Sequence, residues 1–225
     1  MRLIIVRHAE PNYEKDCITE LGHVQAKAAA ERLSGEGIEQ IFSSPMGRAV
    51  ETAGYTAKKL GMEKIHILDW MHEMNWGSRN GAPIPYDGHP WDCTDRMVDD
   101  NVPLVDAAWR EGALFSNNTA VDDADRIAVQ TDEWLSLLGY EREGNYYRCT
   151  QKDDSQHTVA LFCHGGSMSA MIAHIMNIPF PFVCASFHIE FSGITTLRFK
   201  KVQGFLGQPV FETVNDFRHT LGCSV

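Results

Sequence analysis

Four apolar residues in succession, Leu3-Ile4-Ile5-Val6, lead directly into Arg7 and His8. Consecutive rather than alternating apolar residues describe a strand covered on both faces, and such strands belong to sheets packed between helices. The chain supplies those helices. Thr19 reads as the N-cap of a helix over 20–33, stopped by Gly35 and Gly37. A second short strand follows at 38–44. Pro45 then suits a first helical turn, and 46–61 reads as a helix with Lys58 and Lys59 near its end and Gly61 just past it. Residues 64–68 make a third strand, 125–140 an amphipathic helix, 157–164 a strand, and a helix runs from Gly166 to a stop before Pro179. Strands alternating with helices predict an α/β chain with right-handed crossovers and a mostly parallel sheet. Residues 186–199 read instead as two β segments joined through Gly193, near one edge. From 78 to 124 the periodicity fails, with prolines and aromatic rings in place of a pattern. A stretch of that length inside a compact domain is expected to be a lid inserted over one end of the sheet. No repeat or linker marks a second unit, so 1–225 is read as a single domain.

At 225 residues with 44% hydrophobic content the chain can bury a sizeable core. No apolar run is long enough to span a bilayer, and the one before Arg7 is too short for a signal peptide, so a cytoplasmic protein is expected, with no membrane partner. The cysteines, Cys17, Cys93, Cys149, Cys163, Cys184 and Cys223, are scattered without a CxxC pair and are expected to be reduced. A formal charge of −10 disfavours a nucleic-acid partner, since such binding rests on neutralising phosphates. A small anion still fits if cations are concentrated locally.

Several residues then invite a chemical reading. By itself, His8 fits packing, metal ligation or catalysis alike. Arg7 beside it calls for an anion or carboxylate, and its planar fork suits phosphate. Arg48 falls in the first turn of a helix, an end that attracts anions, so it is misplaced there unless an anion accompanies it. His164 repeats the first pattern, an apolar strand ending in histidine, and Gly165 and Gly166 then open a helix whose N–H groups can approach a ligand. Glu73 stands among Met71, Met74 and Trp76, apolar company of the kind that keeps a carboxyl protonated for acid catalysis. No HExxH occurs, and the adjacent Cys163 and His164 cannot both chelate from one strand, so no metal is expected.

Taken together these stretches resemble the histidine phosphatase superfamily, in its phosphoglycerate-mutase-like branch. Arg7-His8-Ala9-Glu10 matches the opening Arg-His-Gly-Glu. ITELGHVQA (18–26), SSPMGRAVETA (43–53), MHEMNWGSRNG (71–81), His164-Gly165-Gly166 and NDFRHT (215–220) follow in the family's order. The resemblance implies a three-layer α/β/α sandwich and a metal-independent, cofactor-free phosphomonoester hydrolase acting on a small phosphorylated metabolite. It makes His8 the nucleophile that becomes a phosphohistidine, and Glu73 the proton donor, entering protonated. Arg7, Arg48, His164 and Gly165 hold the phosphoryl group, with His8 neutral and His164 charged. Ala9 stands where the family has glycine, which predicts an ordinary backbone there. Arg79-Asn80 replaces a Trp-Glu pair, so Arg79 either reaches toward substrate or is solvated. Trp76, Tyr86 and Trp91 are candidates for an aromatic wall. A mutase needs cations for a second phosphate, yet residues 79–126 carry four arginines against ten acids. A hydrolase is therefore preferred over a mutase-type phosphotransferase, or over a silent phosphate-binding module. Substrate identity and homo-oligomerisation are left open.

Overall fold

The structure, a computed structural model, describes residues 1–152 and 157–224. In chain order it begins with β1 (Arg2–Arg7), a short hairpin of β2 (Pro11–Asn12) and β3 (Cys17–Ile18), α1 (Glu20–Leu33), β4 (Gln40–Ser43), α2 (Gly47–Leu60) and β5 (Ile65–Ile67). There follow α3 (Pro90–Asp99), α4 (Thr119–Leu137), the hairpin of β6 (Tyr140–Glu143) and β7 (Tyr146–Cys149), and β8 (Thr158–Cys163). The last elements are α5 (Gly165–Met176), α6 (Phe180–Ser186), β9 (Ile194–Arg198), β10 (Leu206–Gly207) and β11 (Val210–Asp216).

Six strands form the central sheet in the order β11-β9-β1-β8-β4-β5. β1, β8, β4 and β5 run parallel, while β9 lies antiparallel to both β1 and β11 at one edge. The apolar runs explain the layering. Leu3 and Ile5 of β1, with Leu161 and Cys163 of β8, join a core shared with Ile127 and Trp134 of α4 and Met168 and Met171 of α5. Ile4, Val6, Ala160 and Phe162 take the opposite face and meet Leu33 of α1 and Ala53 and Ala57 of α2. Alternate residues thus serve opposite helical layers, and each large side chain buried contributes about 1.5–3 kcal/mol by leaving water. The expected three-layer α/β sandwich with a mostly parallel sheet is the one observed.

Several local expectations need correction. Pro45 precedes α2 instead of entering it, since the helix starts at Gly47. α4 begins at Thr119, not 125, and gives way to β6 at Tyr140. Its start is set by Asn118, whose side chain accepts from the Ala120 N–H, and Ala120, Val121 and Ala124 bury one face. Residues 119–124 therefore belong to a helix and not to the irregular stretch. Within 186–199 only Ile194–Arg198 is a strand, and its partners are β1 and β11. The preceding residues turn tightly, with Ser192 at φ 60° donating its N–H to the His8 carbonyl at 3.2 Å. α6 and the β6–β7 hairpin escaped the sequence reading altogether. The six cysteines carry free thiols. No helix among the described residues is long and apolar enough to cross a membrane.

Residues 78–118 leave the sheet and return to it at one point. Ser78 bridges to Asn118, the Arg79 N–H donates to the Asn117 carbonyl at 3.0 Å, and the Thr119 N–H donates to the Gly77 carbonyl at 2.9 Å. Between these ends α3 packs on α6, and Trp109 is buried against Phe115 and Phe180 at ring distances of 5.1 and 5.8 Å. Asn118 closes the base: fully buried, it caps α4 and donates through Nδ2 to the Gly88 carbonyl at 2.8 Å. Asn118→Ala removes a cap and orphans a buried carbonyl, which costs about 2 kcal/mol. Calorimetry should find Tm lowered by roughly 4–8 °C, as expected for a domain of this size.

Candidate active site

The parallel register of β1 and β8 sets Arg7 opposite Cys163, so the next residue of each strand, His8 and His164, emerges at the same sheet edge. Their rings lie 5.2 Å apart, both buried. β4 contributes likewise from the other side of β8. The Ser44 N–H donates to the Phe162 carbonyl, and its hydroxyl lies 2.6 Å from His164 Nε2. Ser44 Oγ also accepts from the Met46 N–H at 3.2 Å, which leaves its own proton for the imidazole. His164 Nε2 is then an acceptor and Nδ1 carries the hydrogen.

His8 is held in the same tautomer by a different device. Its Nδ1 lies 2.7 Å from the Ala9 carbonyl, which fixes the proton there and turns the Nε2 lone pair outward, 3.4 Å from Arg48 Nε. Burial holds both imidazoles neutral, with the Arg7 and Arg48 charges adding to the effect. His8 is lowered from 6.5 to about 3 and His164 to about 2. Burial thus favours the neutral form of His164, against the charged form expected when it faces a phosphate. Ala9 does not adopt positive φ, as its side chain predicted, and its N–H donates to Thr52 Oγ1 at 3.0 Å.

The cations are positioned by groups far away in sequence. Arg48, in the first turn of α2, pairs with Asp16 of the β2–β3 hairpin at 2.5 Å, and the other Asp16 oxygen accepts from the Gly47 N–H at 2.7 Å. The hairpin approaches so closely that a Cβ at Gly47 would lie 2.2 Å from the Asp16 carbonyl oxygen. Arg7 donates through Nη1 to the Ile189 carbonyl at 2.5 Å and lies 4.1 Å over the Phe191 ring. Among the described residues, Arg7 Nε and His164 Nδ1 are buried without a hydrogen-bond partner. Buried donors left unpaired by the protein are groups that an anion could satisfy.

Glu73 is placed differently from expectation. Its carboxylate accepts from the N–H groups of Met74, Ser167 and Gly166 at 2.8, 3.0 and 3.3 Å, so it docks on the N-terminus of α5 and is not isolated among apolar side chains. Gly166 is required by this contact, since a Cβ there would lie 2.6 Å from Glu73 Oε1. Gly165 lies against the Arg7 guanidinium, where a Cβ would make ordinary contact at 3.6 Å. Arg7, Glu73, Gly165, Trp76 and Trp91 line one cleft of about 290 Å³. Arg79 and Tyr86 do not. Arg79 pairs with Asp122 at 2.7 Å, and Tyr86 is half exposed at φ 55°. Ser44, Asp16, Phe187 and Ile189 were missed by sequence reasoning. Ser44 lay inside a quoted motif, but nothing local ties it to His164. Among the described residues no three His, Cys, Asp or Glu side chains group as metal ligands.

The sequence model of the histidine phosphatase superfamily, branch 1, matches residues 3–90, the part carrying His8, Arg48 and Glu73. Over those residues the chain is similar to the histidine phosphatase superfamily. The chain is 26% identical over 187 residues to a glucosyl-3-phosphoglycerate phosphatase from Mycobacterium tuberculosis, covering 79% of this chain and 76% of the relative. It is 23% identical over 205 residues to a putative phosphoserine phosphatase 2 from Hydrogenobacter thermophilus, covering 87% and 88%. In fold it matches the phosphoserine phosphatase of Entamoeba histolytica solved with 3-phosphoglyceric acid, with a TM-score of 0.62, 21% identity, and 97% and 98% coverage.

The two depressed imidazoles make stability depend on pH. The unfolded chain protonates these histidines as pH falls below 6.5, whereas the folded chain resists until about 3, so stability rises with pH across that window and is lost on acidification. Between pH 7 and 5.5 each imidazole should cost roughly 1 kcal/mol. Urea unfolding should show the midpoint falling over this interval, and falling less in His8→Asn.

Proposed function

We propose that this protein is a phosphomonoester hydrolase that works through a phosphohistidine at His8, without a metal. The observation that carries this reading is the His8 Nε2 lone pair, presented by the Nδ1 contact to Ala9, beside the unpartnered donors Arg7 Nε and His164 Nδ1. A neutral imidazole is the form that can attack phosphorus.

In this scheme the phosphoryl oxygens are held by Arg7, Arg48 and the Nδ1–H of His164, with the N-terminal backbone of α5 at Gly165 close by. His8 Nε2 forms a bond to phosphorus as the ester oxygen departs. That oxygen needs a proton, and Glu73 delivers it. Because Glu73 sits on backbone amides as an acceptor, the proton enters with the substrate monoanion, since the second phosphate ionisation lies near pH 6. The Glu73 carboxylate then takes a proton from water, whose oxygen attacks phosphorus. The N–P bond breaks, the proton on Glu73 passes to the departing phosphate, and His8 returns to its neutral state. Residues 78–118 act as the lid, and the enzyme works in the cytoplasm on a small phosphorylated metabolite.

Hydrolysis is favoured over mutase chemistry by the fate of the arginines in the 79–126 stretch. Arg79 pairs with Asp122, Arg96 with Asp100, Arg110 with Asp125 and Arg126 with Asp123, at 2.6–3.0 Å. None is left to hold a second phosphate.

Wild type should turn over p-nitrophenyl phosphate in excess EDTA, and His8→Ala should lose at least about 10³-fold in kcat. Undiminished turnover by His8→Ala would reject the mechanism. Intact-mass measurement of rapidly quenched protein should show about 80 Da added at His8, which a silent binding module would not acquire.

Ser44 serves here as a positioning residue that fixes the His164 tautomer. Ser44→Ala should lower kcat/KM roughly ten- to a hundredfold, with Ser44→Thr restoring most of it. The NMR signature of the His164 ring should show mixed tautomers in the alanine variant alone.

A further inference from the structure

The cleft beside His8 is walled mainly by rings gathered from distant parts of the chain. The His89 imidazole sits between Trp76 and Trp91, at centroid distances of 5.1 and 5.4 Å. Tyr13, from the β2–β3 hairpin, and Phe187, just after α6, line the same cleft. Trp76 is 39% exposed, a large indole surface left uncovered in a concavity. An exposed aromatic in a cleft is the ordinary mark of a ligand contact.

Charge in the cleft points the same way. Among the described lining residues Arg7 is the one arginine or lysine, and the phosphate claims it. His89 and His188 also line the cleft, but each has a carboxylate of its own, Asp92 at 2.9 Å and Glu190 at 3.2 Å. The Glu73 carboxylate faces the same space and repels another. A substrate whose alcohol carries a carboxylate or a second phosphate would therefore meet rings and acids, and would find no cation of its own.

We propose that the site takes phosphomonoesters whose alcohol bears an uncharged planar ring, with the ring held against Trp76 and Trp91, and selects against alcohols carrying a carboxylate. The proposal rests on the hydrolase reading above. It differs from that reading in specifying what lies beyond the phosphate.

The comparison must hold leaving-group acidity constant. 2-Phenylethyl phosphate, phosphoserine and 3-phosphoglycerate are all esters of aliphatic alcohols, so the ring and the carboxylate set the order among them. The wild-type protein should hydrolyse 2-phenylethyl phosphate with kcat/KM at least about tenfold above either acid. Trp76→Ala and Trp91→Ala should each lower that ratio about fivefold. Trp76 is the more exposed of the pair, so its variant provides the readout even where Trp91→Ala folds poorly. Equal or better turnover of phosphoserine or 3-phosphoglycerate overturns the proposal, as does a ratio unchanged in both variants. Failure on all three esters with p-nitrophenyl phosphate still turned over overturns the proposal and leaves the hydrolase reading standing. Failure on p-nitrophenyl phosphate as well overturns the hydrolase reading itself.

Discussion

The site depends first on the register between β1 and β8. Two parallel strands paired residue for residue end at the same level, so the side chains that follow them are forced together at the carboxyl edge. A shift of one residue would exchange the two faces of β1, moving Leu3 and Ile5 into the layer of α1 and α2. Burial of the apolar runs therefore enforces the spacing of His8 and His164. β4 extends the same logic to Ser44. The two histidines are thus positioned by buried strand ends, and the long side chains of Arg7 and Arg48 are tied down by further contacts.

Those contacts create an unusual electrostatic state. Two guanidinium groups lie close to two imidazoles in a buried space, and burial first, with the two positive charges adding to it, favours the neutral imidazoles. Asp16 neutralises Arg48 in part, and Arg7 has the Ile189 carbonyl and the Phe191 ring instead of a carboxylate. An entering phosphate group supplies the missing negative charge and satisfies donors that the protein itself leaves unpaired.

Much of this was legible in the sequence, for reasons that also mark where legibility stopped. β1, α1 and β8 follow from unbroken apolar runs, a capping threonine and helix-ending glycines, all of them local signals. His8, Arg7, Arg48, Glu73 and His164 were found because each stands at an element boundary or within a spaced motif. α3 was not visible, since its buried face is made of Cys93, Thr94 and Met97 behind a proline, a weak apolar signal. The second β segment expected in 186–193 failed because that stretch is used for turns that deliver a carbonyl to Arg7, a non-local demand. Asp16 and Ser44 act only through partners 32 and 120 residues away. Nothing in their own neighbourhoods announces it. The surroundings of Glu73 were misjudged for the same reason: its sequence neighbours are apolar, but its spatial neighbours are the amides of α5.

The pairing of Arg48 with Asp16 bears on how the phosphate leaves. A bare buried arginine would grip inorganic phosphate with its full charge, and a site that grips its product stalls. Under the proposed chemistry, an arginine already shared with an aspartate would give an arriving phosphoryl group only part of its attraction. The hairpin carboxylate would in that sense be a resident competitor for the clamp, and would set a ceiling on product affinity.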